Sequence, residues 1–307
     1  MPKDGLVVRT TGSWYRVLAQ EGTTVDCRLR GNYRLRGNKQ TNPVAVGDRV
    51  VFEMQDDGTG VIGEVADRRN YIVRRATKLS KQTHVIAANI DLLCVVATLG
   101  LPRTSTGFID RLLVTAEAYH IPACVVFNKS DLMSNPELHE AQEAMAAIYR
   151  HAGYAVLEVS ALTGTGIDAL KATIAGKTVL FSGHSGVGKS ALLNAIEPGL
   201  ALKVGQISDW SLKGKHTTTF AEIFPFADGY LIDTPGIKEF GMVDFTPQEL
   251  SHFFPEMRAV LHDCHFANCT HRHEPQCAVK KAVDDGLISE ERYGNYLSII
   301  ESIEADS

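Results

Sequence analysis

The sequence predicts a multidomain α/β protein with a five-stranded barrel, a central domain built on a mostly parallel sheet with helices on both faces, and a helical C-terminal domain. Three observations predict this architecture. Short strand-like runs fill residues 5–73, apolar strands alternate with amphipathic helices from about residue 84, and a cluster of cysteine and histidine follows after the strands stop near residue 241. The predicted domains are 1–76, 77–243 and 244–307.

The N-terminal domain is predicted to be an OB-like barrel. Turns that contain Gly, Asn or Asp separate five short strands, at 6–8, 14–18, 24–29, 48–54 and 60–65. The OB-fold is the commonest five-stranded barrel that binds oligonucleotides, and an SH3-like barrel is the alternative.

Basic residues concentrate in this N-terminal region. Residues 1–80 carry 14 Lys and Arg against 9 Asp and Glu, although the whole chain has a net charge of -5. A loop interleaves five basic residues with a tyrosine, namely Arg28, Arg30, Tyr33, Arg34, Arg36 and Lys39. It is either an RNA-binding loop with a stacking aromatic or a solvated basic loop. Further basic residues at the domain junction would extend the same surface: Arg68, Arg69, Arg74, Arg75, Lys78 and Lys81.

The central domain alternates strands and helices. Strands are predicted at 91–97, 123–127, 155–159, 178–181, 221–226 and 230–232, and helices at 108–119, 136–151, 167–174 and 189–196. In sheets of this kind ligands bind at the carboxyl ends of the strands. The motifs that carry chemistry fall at those ends.

A phosphate-binding loop follows the strand at 178–181. Its residues are Gly183, His184, Ser185, Gly186, Val187, Gly188, Lys189 and Ser190. The glycines let successive backbone N–H groups wrap phosphate oxygens at the N-terminus of the next helix. Lys189 is predicted to bridge the β- and γ-phosphates as a catalytic group, and Ser190 to bind Mg²⁺.

A guanine-reading loop follows the strand at 123–127. The carboxylate of Asp131 is predicted to accept hydrogen bonds from guanine N1–H and the exocyclic amine, whereas adenine has an acceptor at N1. Asn128 would brace this loop, Lys129 would lie along the base, and the backbone at Ser160 and Ala161 would contact guanine O6.

Two later segments are predicted to sense the γ-phosphate. Asp233 would hold Mg²⁺ directly or through water, and the N–H of Gly236 would detect the phosphate. In the threonine-rich segment at 213–219, Thr218 would close over Mg²⁺ and the γ-phosphate. Ile237 stands where many GTPases place a water-orienting Gln, so His216 is the candidate water-positioning residue, with a solvated loop histidine as the alternative.

The order of these motifs along the chain indicates a circular permutation. The base-reading segments come first and are followed by the phosphate loop, the threonine segment and the Asp233 motif, an order written G4-G5-G1-G2-G3. Rejoining termini that lie close together leaves such a site intact. The central domain is therefore predicted to be a circularly permuted P-loop GTPase that binds GTP and GDP.

The C-terminal domain is predicted to bind one structural zinc ion. Cys264, Cys269, His271 and Cys277 form a Cys₃His set, which would fill all four positions of a tetrahedral site. His265 and His273 are competing ligands, and reduced free cysteines are the other alternative. A helix is predicted to start at Pro247, because Thr246 and Glu249 form a capping-box pattern.

With these motifs in place, the chain resembles the RsgA/YjeQ family of small-ribosomal-subunit-dependent GTPases along essentially its whole length. The resemblance implies a cytoplasmic enzyme of late 30S maturation whose GTP hydrolysis the 30S subunit stimulates. It also implies 16S rRNA contacts from the barrel and the zinc domain, and roles for His216, Thr218 and the zinc ligands. The alternative is a GTP-sensing RNA clamp whose hydrolysis is incidental. No membrane segment is expected, and a monomer is the default expectation.

Overall fold

The computed structural model describes residues 1–31, 42–75, 83–100, 102–202, 221–233 and 245–305. Within these residues the chain forms two compact units. The first unit draws on Met1–Leu93, Ala172–Ser182 and Gly205–Val243, and the second on Cys94–Lys171, Gly183–Val204 and Asp244–Ser307. No helix among the described residues is long and apolar enough to cross a bilayer.

The first unit begins with the predicted closed five-stranded barrel. Its strands are β1 (Pro2–Thr11), β2 (Trp14–Ala19), β3 (Thr24–Leu29), β4 (Arg49–Met54) and β5 (Gly60–Val65). They pair in the order β1-β2-β3-β5-β4, and β4 closes the ring by pairing antiparallel with β1. Inward-facing apolar side chains such as Val7, Val17 and Phe52 fill the interior. The alternation of buried and exposed residues along β2 explains why the strands were predictable.

A hairpin that the sequence patterns did not predict follows the barrel. It consists of β6 (Tyr71–Arg75) and β7 (Thr83–Ala88), which pair antiparallel. The remaining strands of the first unit are β11 (Thr178–Ser182), β12 (Glu222–Phe226) and β13 (Gly229–Asp233). β11 runs parallel to β13, β13 antiparallel to β12, and β12 pairs with β1 through Glu222 and Arg9.

Two of the junction arginines form ion pairs with carboxylates in the structure. The guanidinium of Arg68 donates two hydrogen bonds, of 2.7 and 2.8 Å, to the fully buried carboxylate of Asp48, and only 12% of its side chain is exposed. Arg69 donates to Asp91 at 2.6 Å. Because the charge of Arg68 is neutralised by a buried carboxylate, it is not available to an RNA phosphate. The prediction that Arg68 extends the RNA-binding surface is therefore wrong.

The second unit contains three strands and the longer helices of the chain. Its strands are β8 (Leu92–Ala97), β9 (Ala123–Phe127) and β10 (Ala155–Glu158), in the order β10-β9-β8, with β9 and β10 parallel. Its helices are α1 (Thr106–Ala118), α2 (Pro136–His151), α3 (Ile167–Ile174) and α4 (Lys189–Ile196). Ser105 begins α1 by accepting from the N–H of Phe108, and Asn135 begins α2 in the same way.

The C-terminal segment of the second unit is helical, as predicted. Its helices are α5 (Pro247–Leu250), α6 (Pro255–Arg258), α7 (Ala278–Asp284) and α8 (Glu290–Ala305). The predicted capping box is present at Pro247, where the Glu249 carboxylate accepts from the N–H of Thr246. α8 packs along α1, and Arg292 at this contact lies between the carboxylates of Asp110 and Glu256.

Candidate guanine-nucleotide and metal sites

The phosphate loop lies between β11 and α4, as the sequence predicts. Two of its glycines are required by close contacts. A Cβ at Gly183 would lie 2.3 Å from the carbonyl oxygen of Val96 in β8. Gly188 has a φ of +91°, and a Cβ there would lie 2.5 Å from the amide nitrogen of Asn128. A side chain at either position would clash with these neighbouring atoms, so both positions require glycine.

Asn128 connects the base-reading loop to the phosphate loop. Its side chain is 2% exposed, and its Nδ2 donates to the carbonyl oxygen of Val187 at 2.9 Å. Its Oδ1 accepts from the N–H of Ala161 at 3.2 Å. Lys129 has a left-handed φ of +65°, and its Nζ donates to the carbonyl of Gly186 at 2.8 Å. Three segments that are distant in sequence thus meet around one amide side chain.

Asp131 and Ser160 are brought together as well. Asp131 lies in a short 3-10 turn, Ser130–Leu132, and its Oδ1 accepts from the hydroxyl of Ser160 at 2.5 Å. The same hydroxyl oxygen accepts from the N–H of Thr163. This contact orients the Asp131 carboxylate beside the 160–161 backbone, which the sequence predicts to contact the guanine base.

Lys189 and Ser190 form the first turn of α4. Lys189 is buried, and its Nζ donates to the carbonyl of Gly183 and, at 3.3 Å, to that of His184. His184 is half-buried, whereas Ser185 and Gly186 are exposed. The ammonium group is thus held beside the loop whose phosphate ligand it is predicted to bind.

Asp233 ends β13, where its backbone is in register with Phe181 on the parallel strand β11. Asp233 therefore lies one position before the level of Ser182, the last residue of β11. The other predicted sensors, His216, Thr218 and Gly236, lie outside the described residues, as does Ile237.

The four predicted metal ligands form a cluster in the loop between α6 and α7. One atom from each of Cys264, Cys269, His271 and Cys277 lies within 4.8 Å of the others. Nδ1 of His271 lies 3.7 Å from Sγ of Cys264 and 3.3 Å from Sγ of Cys277. Bond lengths to zinc of about 2.1 Å for nitrogen and 2.3 Å for sulfur place tetrahedral ligands about 3.6 Å apart. The cluster therefore fits a zinc ion.

Burial disfavours charged thiolates in this cluster unless a cation compensates them. Burial raises the pKa of the Cys269 thiol to about 12, and burial lowers the pKa of His271, which keeps its imidazole neutral and able to coordinate. The competing histidines, His265 and His273, are exposed and lie outside the cluster. Three cysteine sulfurs and one neutral imidazole form the Cys₃His ligand set of a closed structural zinc site.

Three residues that the sequence patterns missed hold the metal loop in shape. The carboxylate of Glu274 accepts from the N–H groups of Thr270, Arg272 and His273 and from the Thr270 hydroxyl. From α8, the hydroxyl of Tyr293 donates to the carbonyl of His271, and that of Tyr296 to the carbonyl of Thr270. The sequence feature that could have identified Glu274 is its position as an acidic residue between the last two predicted ligands, His271 and Cys277.

This arrangement defines a class of protein, a circularly permuted GTP-binding protein with an N-terminal barrel and a C-terminal metal cluster. Residues 65–243 match the family model for the RsgA GTPase, and residues 4–62 match that for the RsgA N-terminal domain. The chain therefore belongs to the RsgA family, and it is a GTPase. GTPases in general use Mg²⁺ with their nucleotide.

Individual relatives agree with this assignment. "Small ribosomal subunit biogenesis GTPase RsgA 2" of Bacteroides thetaiotaomicron is 53% identical, over 98% of this chain and 97% of its own length. The RsgA of Flavobacterium johnsoniae is 48% identical, over 98% and 93%. The crystal structure of YjeQ from Thermotoga maritima is 37% identical with a TM-score of 0.79, over 98% of both chains. That of YloQ, a circularly permuted GTPase, is 30% identical with a TM-score of 0.77, over 100% of this chain and 96% of YloQ.

Proposed function

We propose that this GTPase acts in late maturation of the small (30S) ribosomal subunit. It binds 16S rRNA, the subunit stimulates its GTP hydrolysis, and hydrolysis drives its own release. Support comes from relatives named for small-subunit biogenesis. The structural observation that carries the proposal is the hydrogen bonding of Asn128, which assembles the base-reading and phosphate loops into one nucleotide cradle. A role in ribosome maturation implies a cytoplasmic location, and we also propose that the protein is a monomer.

In this proposal each nucleotide-binding residue has a defined role. Asp131 accepts from the two guanine donors, Lys129 lies along the base, and the backbone of Ser160 and Ala161 contacts guanine O6. Lys189 exchanges its contacts with the Gly183 and His184 carbonyls for phosphate oxygens when nucleotide enters. The remaining cradle is the backbone of the phosphate loop, comprising Gly183, His184, Ser185, Gly186, Val187 and Gly188.

The catalytic part of the proposal concerns residues that respond to the γ-phosphate. Bound Mg²⁺ would neutralise developing charge on the phosphates, and Ser190, Thr218 and Asp233 would hold it. The N–H of Gly236 would sense the γ-phosphate. Because the aliphatic Ile237 cannot orient water, His216 takes that role. A His216→Ala variant should lose subunit-stimulated turnover while still binding GDP. Unchanged stimulated turnover would remove His216 from the mechanism.

The C-terminal module, which we place at 244–307, would hold one zinc ion through Cys264, Cys269, His271 and Cys277. With all four positions filled by protein, the ion would stabilise a segment too small to bury a large core. We place the other modules at 1–76 and 77–243. Metal analysis of a Cys264→Ser variant, with His273→Ala as the matched control, tests the ligand set, since only the first should lose zinc.

A stack of the exposed Arg28 on the half-buried Trp14 supports RNA binding by the barrel. The guanidinium carbon of Arg28 lies 4.0 Å from the ring centroid of Trp14, on neighbouring strands β3 and β2. A guanidinium held flat on an aromatic face offers both charge and a stacking surface to single-stranded RNA. An Arg28→Ala variant should therefore weaken binding to small subunits more strongly at low salt than at high salt.

The rival function is a GTP-sensing RNA clamp that releases without hydrolysis. Release from small subunits separates the two functions when GTP is compared with a non-hydrolysable analogue in a sedimentation assay. The proposed enzyme should leave the particle with GTP and stay bound with the analogue. Equal release with both nucleotides would identify the clamp.

A further inference from the structure

Five consecutive carbonyl groups of the phosphate loop accept hydrogen bonds from side chains. Nζ of Lys189 donates to the carbonyls of Gly183 and His184. Lys129 donates to that of Gly186, and Asn128 to that of Val187. The fifth carbonyl, on Ser185, lies 3.0 Å from Nδ1 of the preceding residue, His184. Four of these five contacts come from side chains that already have a predicted role in nucleotide binding, whereas the side chain of His184 has had no role until now.

A hydrogen bond that fixes the direction of a carbonyl also fixes the direction of the N–H group in the same peptide. The carbonyl of Ser185 and the N–H of Gly186 belong to one planar trans peptide, so they point in opposite directions. When the carbonyl turns toward the His184 ring, the Gly186 N–H turns away from that ring. An array of backbone N–H groups turned to one side is what binds phosphate. The His184 contact therefore decides which way one of these donors points.

The hydrogen-bond partners of His184 determine its tautomer. The Ser185 carbonyl can only accept, so Nδ1 must carry a proton. Nε2 lies 2.7 Å from Oγ1 of Thr104, and this oxygen already accepts from the N–H of Thr98 at 3.0 Å. In the neutral ring Nε2 is an acceptor, and the Thr104 hydroxyl donates to it. Every donor in this chain of contacts then has an acceptor, so the Thr104 hydroxyl stabilises the tautomer in which Nδ1 holds the Ser185 carbonyl.

The partners of His184 are themselves well fixed. Thr104 and Thr98 are each 1% exposed, and the N–H of Thr104 donates back to the Thr98 carbonyl at 2.8 Å. The ring of Phe108, in the first turn of α1, meets the His184 ring edge to face with centroids 5.5 Å apart. A buried hydroxyl and an aromatic ring thus hold the imidazole in one orientation.

We propose that Thr104 and His184 are positioning residues for nucleotide phosphate. Thr104 fixes the tautomer and orientation of His184, and His184 fixes the Ser185–Gly186 peptide so that the Gly186 N–H faces the phosphate. Neither side chain needs to touch the nucleotide. This inference rests on the proposed nucleotide-binding role of the phosphate loop, and it assigns a function to Thr104 that no motif in the chain indicates.

The test compares Thr104→Val, which keeps the shape and removes the hydroxyl, with Thr104→Ser, which keeps the hydroxyl. Thr115→Val is the matched control, because Thr115 in α1 is likewise a buried threonine whose hydroxyl donates a hydrogen bond, in this case to the carbonyl of Arg111. Loss of one such hydrogen bond predicts GDP affinity about tenfold weaker in Thr104→Val. Thr104→Ser and Thr115→Val should bind GDP within about twofold of the wild type.

A second ligand separates positioning from general damage. Guanosine lacks phosphate, so its competition against a fluorescent guanine nucleotide should be unchanged in Thr104→Val. Weakening of GDP alone supports the proposal. Equal weakening of GDP and guanosine would assign Thr104 to packing, and unchanged GDP affinity would remove it from the site; either result overturns the proposal.

A double-mutant cycle tests the route through His184. In His184→Asn the amide can still donate to the Ser185 carbonyl but no longer reaches Thr104, whereas His184→Ala loses the donor. We expect His184→Asn to retain most GDP affinity and His184→Ala to lose it. Adding Thr104→Val to His184→Asn should cost no further affinity. An additive loss would show that Thr104 acts independently of His184 and would contradict the route.

The outcome is distinguishable from failure of the proposed function. GDP binding by the wild type, measured without ribosomes, tests the nucleotide site itself. If the wild type binds GDP and Thr104→Val binds equally well, only the positioning role fails. The ³¹P resonance of the β-phosphate of bound GDP is a further readout: it should shift in Thr104→Val and stay at the wild-type position in Thr115→Val.

Discussion

Asn128 shows how one residue can assemble a ligand site from separate loops. A primary amide has both a donor and an acceptor, and in Asn128 the donor reaches Val187 while the acceptor takes the N–H of Ala161. An aspartate at this position could not donate to the Val187 carbonyl, and an alanine could do neither. The physical requirement is for both hydrogen-bonding functions on one short, buried side chain.

Asp131 is the residue on which base specificity should depend. An Asp131→Asn substitution replaces one acceptor oxygen with a donor, which would face the two guanine donors unfavourably. The same NH₂ group could donate a hydrogen bond to the C2 carbonyl of xanthine. With charge-assisted hydrogen bonds worth about 1.5–3 kcal/mol each, we expect GTP affinity to fall at least about a hundredfold. Affinity for xanthosine triphosphate should rise in the same variant.

Competition binding with GTP, XTP and ATP measures this prediction. Asp168→Asn is the control, because Asp168 lies in the first turn of α3 and outside the base-reading loop. A loss of GTP affinity without any gain for XTP would mean that Asp131 supports the loop through Ser160 rather than reading the base.

At the scale of elements, the contact between α1 and α8 depends on a buried ionic cluster. The guanidinium of Arg292 is 1% exposed and contacts Asp110 and Glu256, both at 2.5 Å. Burial raises the pKa of Asp110, and the charge of Arg292 and the hydrogen bond from Asn295 offset part of this effect, so that the pKa is about 6 and the carboxylate is ionised at neutral pH. The rings of Tyr149, Tyr154 and Phe254 surround the guanidinium.

Removing the cation from this cluster should be strongly destabilising. Arg292→Met leaves two buried carboxylates without their partner, which predicts a loss of about 3–5 kcal/mol in the free energy of unfolding. Arg258→Met is the control, because Arg258 also joins the C-terminal segment to α1 through Glu117 but is half exposed. Exposed pairs contribute about 0–1 kcal/mol. Similar losses in both variants, measured by urea unfolding, would contradict this account.

The metal loop depends on the charge of Glu274. Burial alone would raise the pKa of Glu274, but the hydrogen bonds from Thr270 and from the neighbouring backbone N–H groups outweigh it and lower the pKa to about 2. Because folding lowers this pKa, the stabilisation is fully present above the ordinary value near 4.5 and is lost as the pH falls toward 2. At neutral pH the carboxylate is therefore fully engaged.

Glu274→Gln should weaken zinc binding at pH 7. The new NH₂ group faces backbone donors, which loosens the loop between His271 and Cys277, and changes around metal ligands typically cost about 10–100-fold in affinity. Competition with a chromophoric chelator measures the effect. Glu304→Gln has the same charge change at the exposed pair with Arg272 and should retain zinc normally. Equal zinc affinity in the two variants would exclude a role for the Glu274 carboxylate.

On the scale of the whole molecule, features with short sequence separation were predictable. The barrel strands, the phosphate loop and the capping box at Pro247 depend on residues within a few positions of one another, so their patterns predict them. The contacts of Arg292 with Asp110, 182 positions away, and of Thr104 with His184, 80 positions away, arise only from packing. The role of Arg68 was mispredicted for a similar reason, because its partner Asp48 is 20 positions away in the sequence.

GTP hydrolysis by the purified protein, measured with and without purified small ribosomal subunits, tests the ribosome-stimulated activity most directly. ATP and large subunits serve as controls, and Lys189→Ala supplies the background rate. We expect strong stimulation that requires both GTP and small subunits. Slow hydrolysis that small subunits leave unchanged, or equal stimulation by large subunits, would contradict a role in small-subunit maturation.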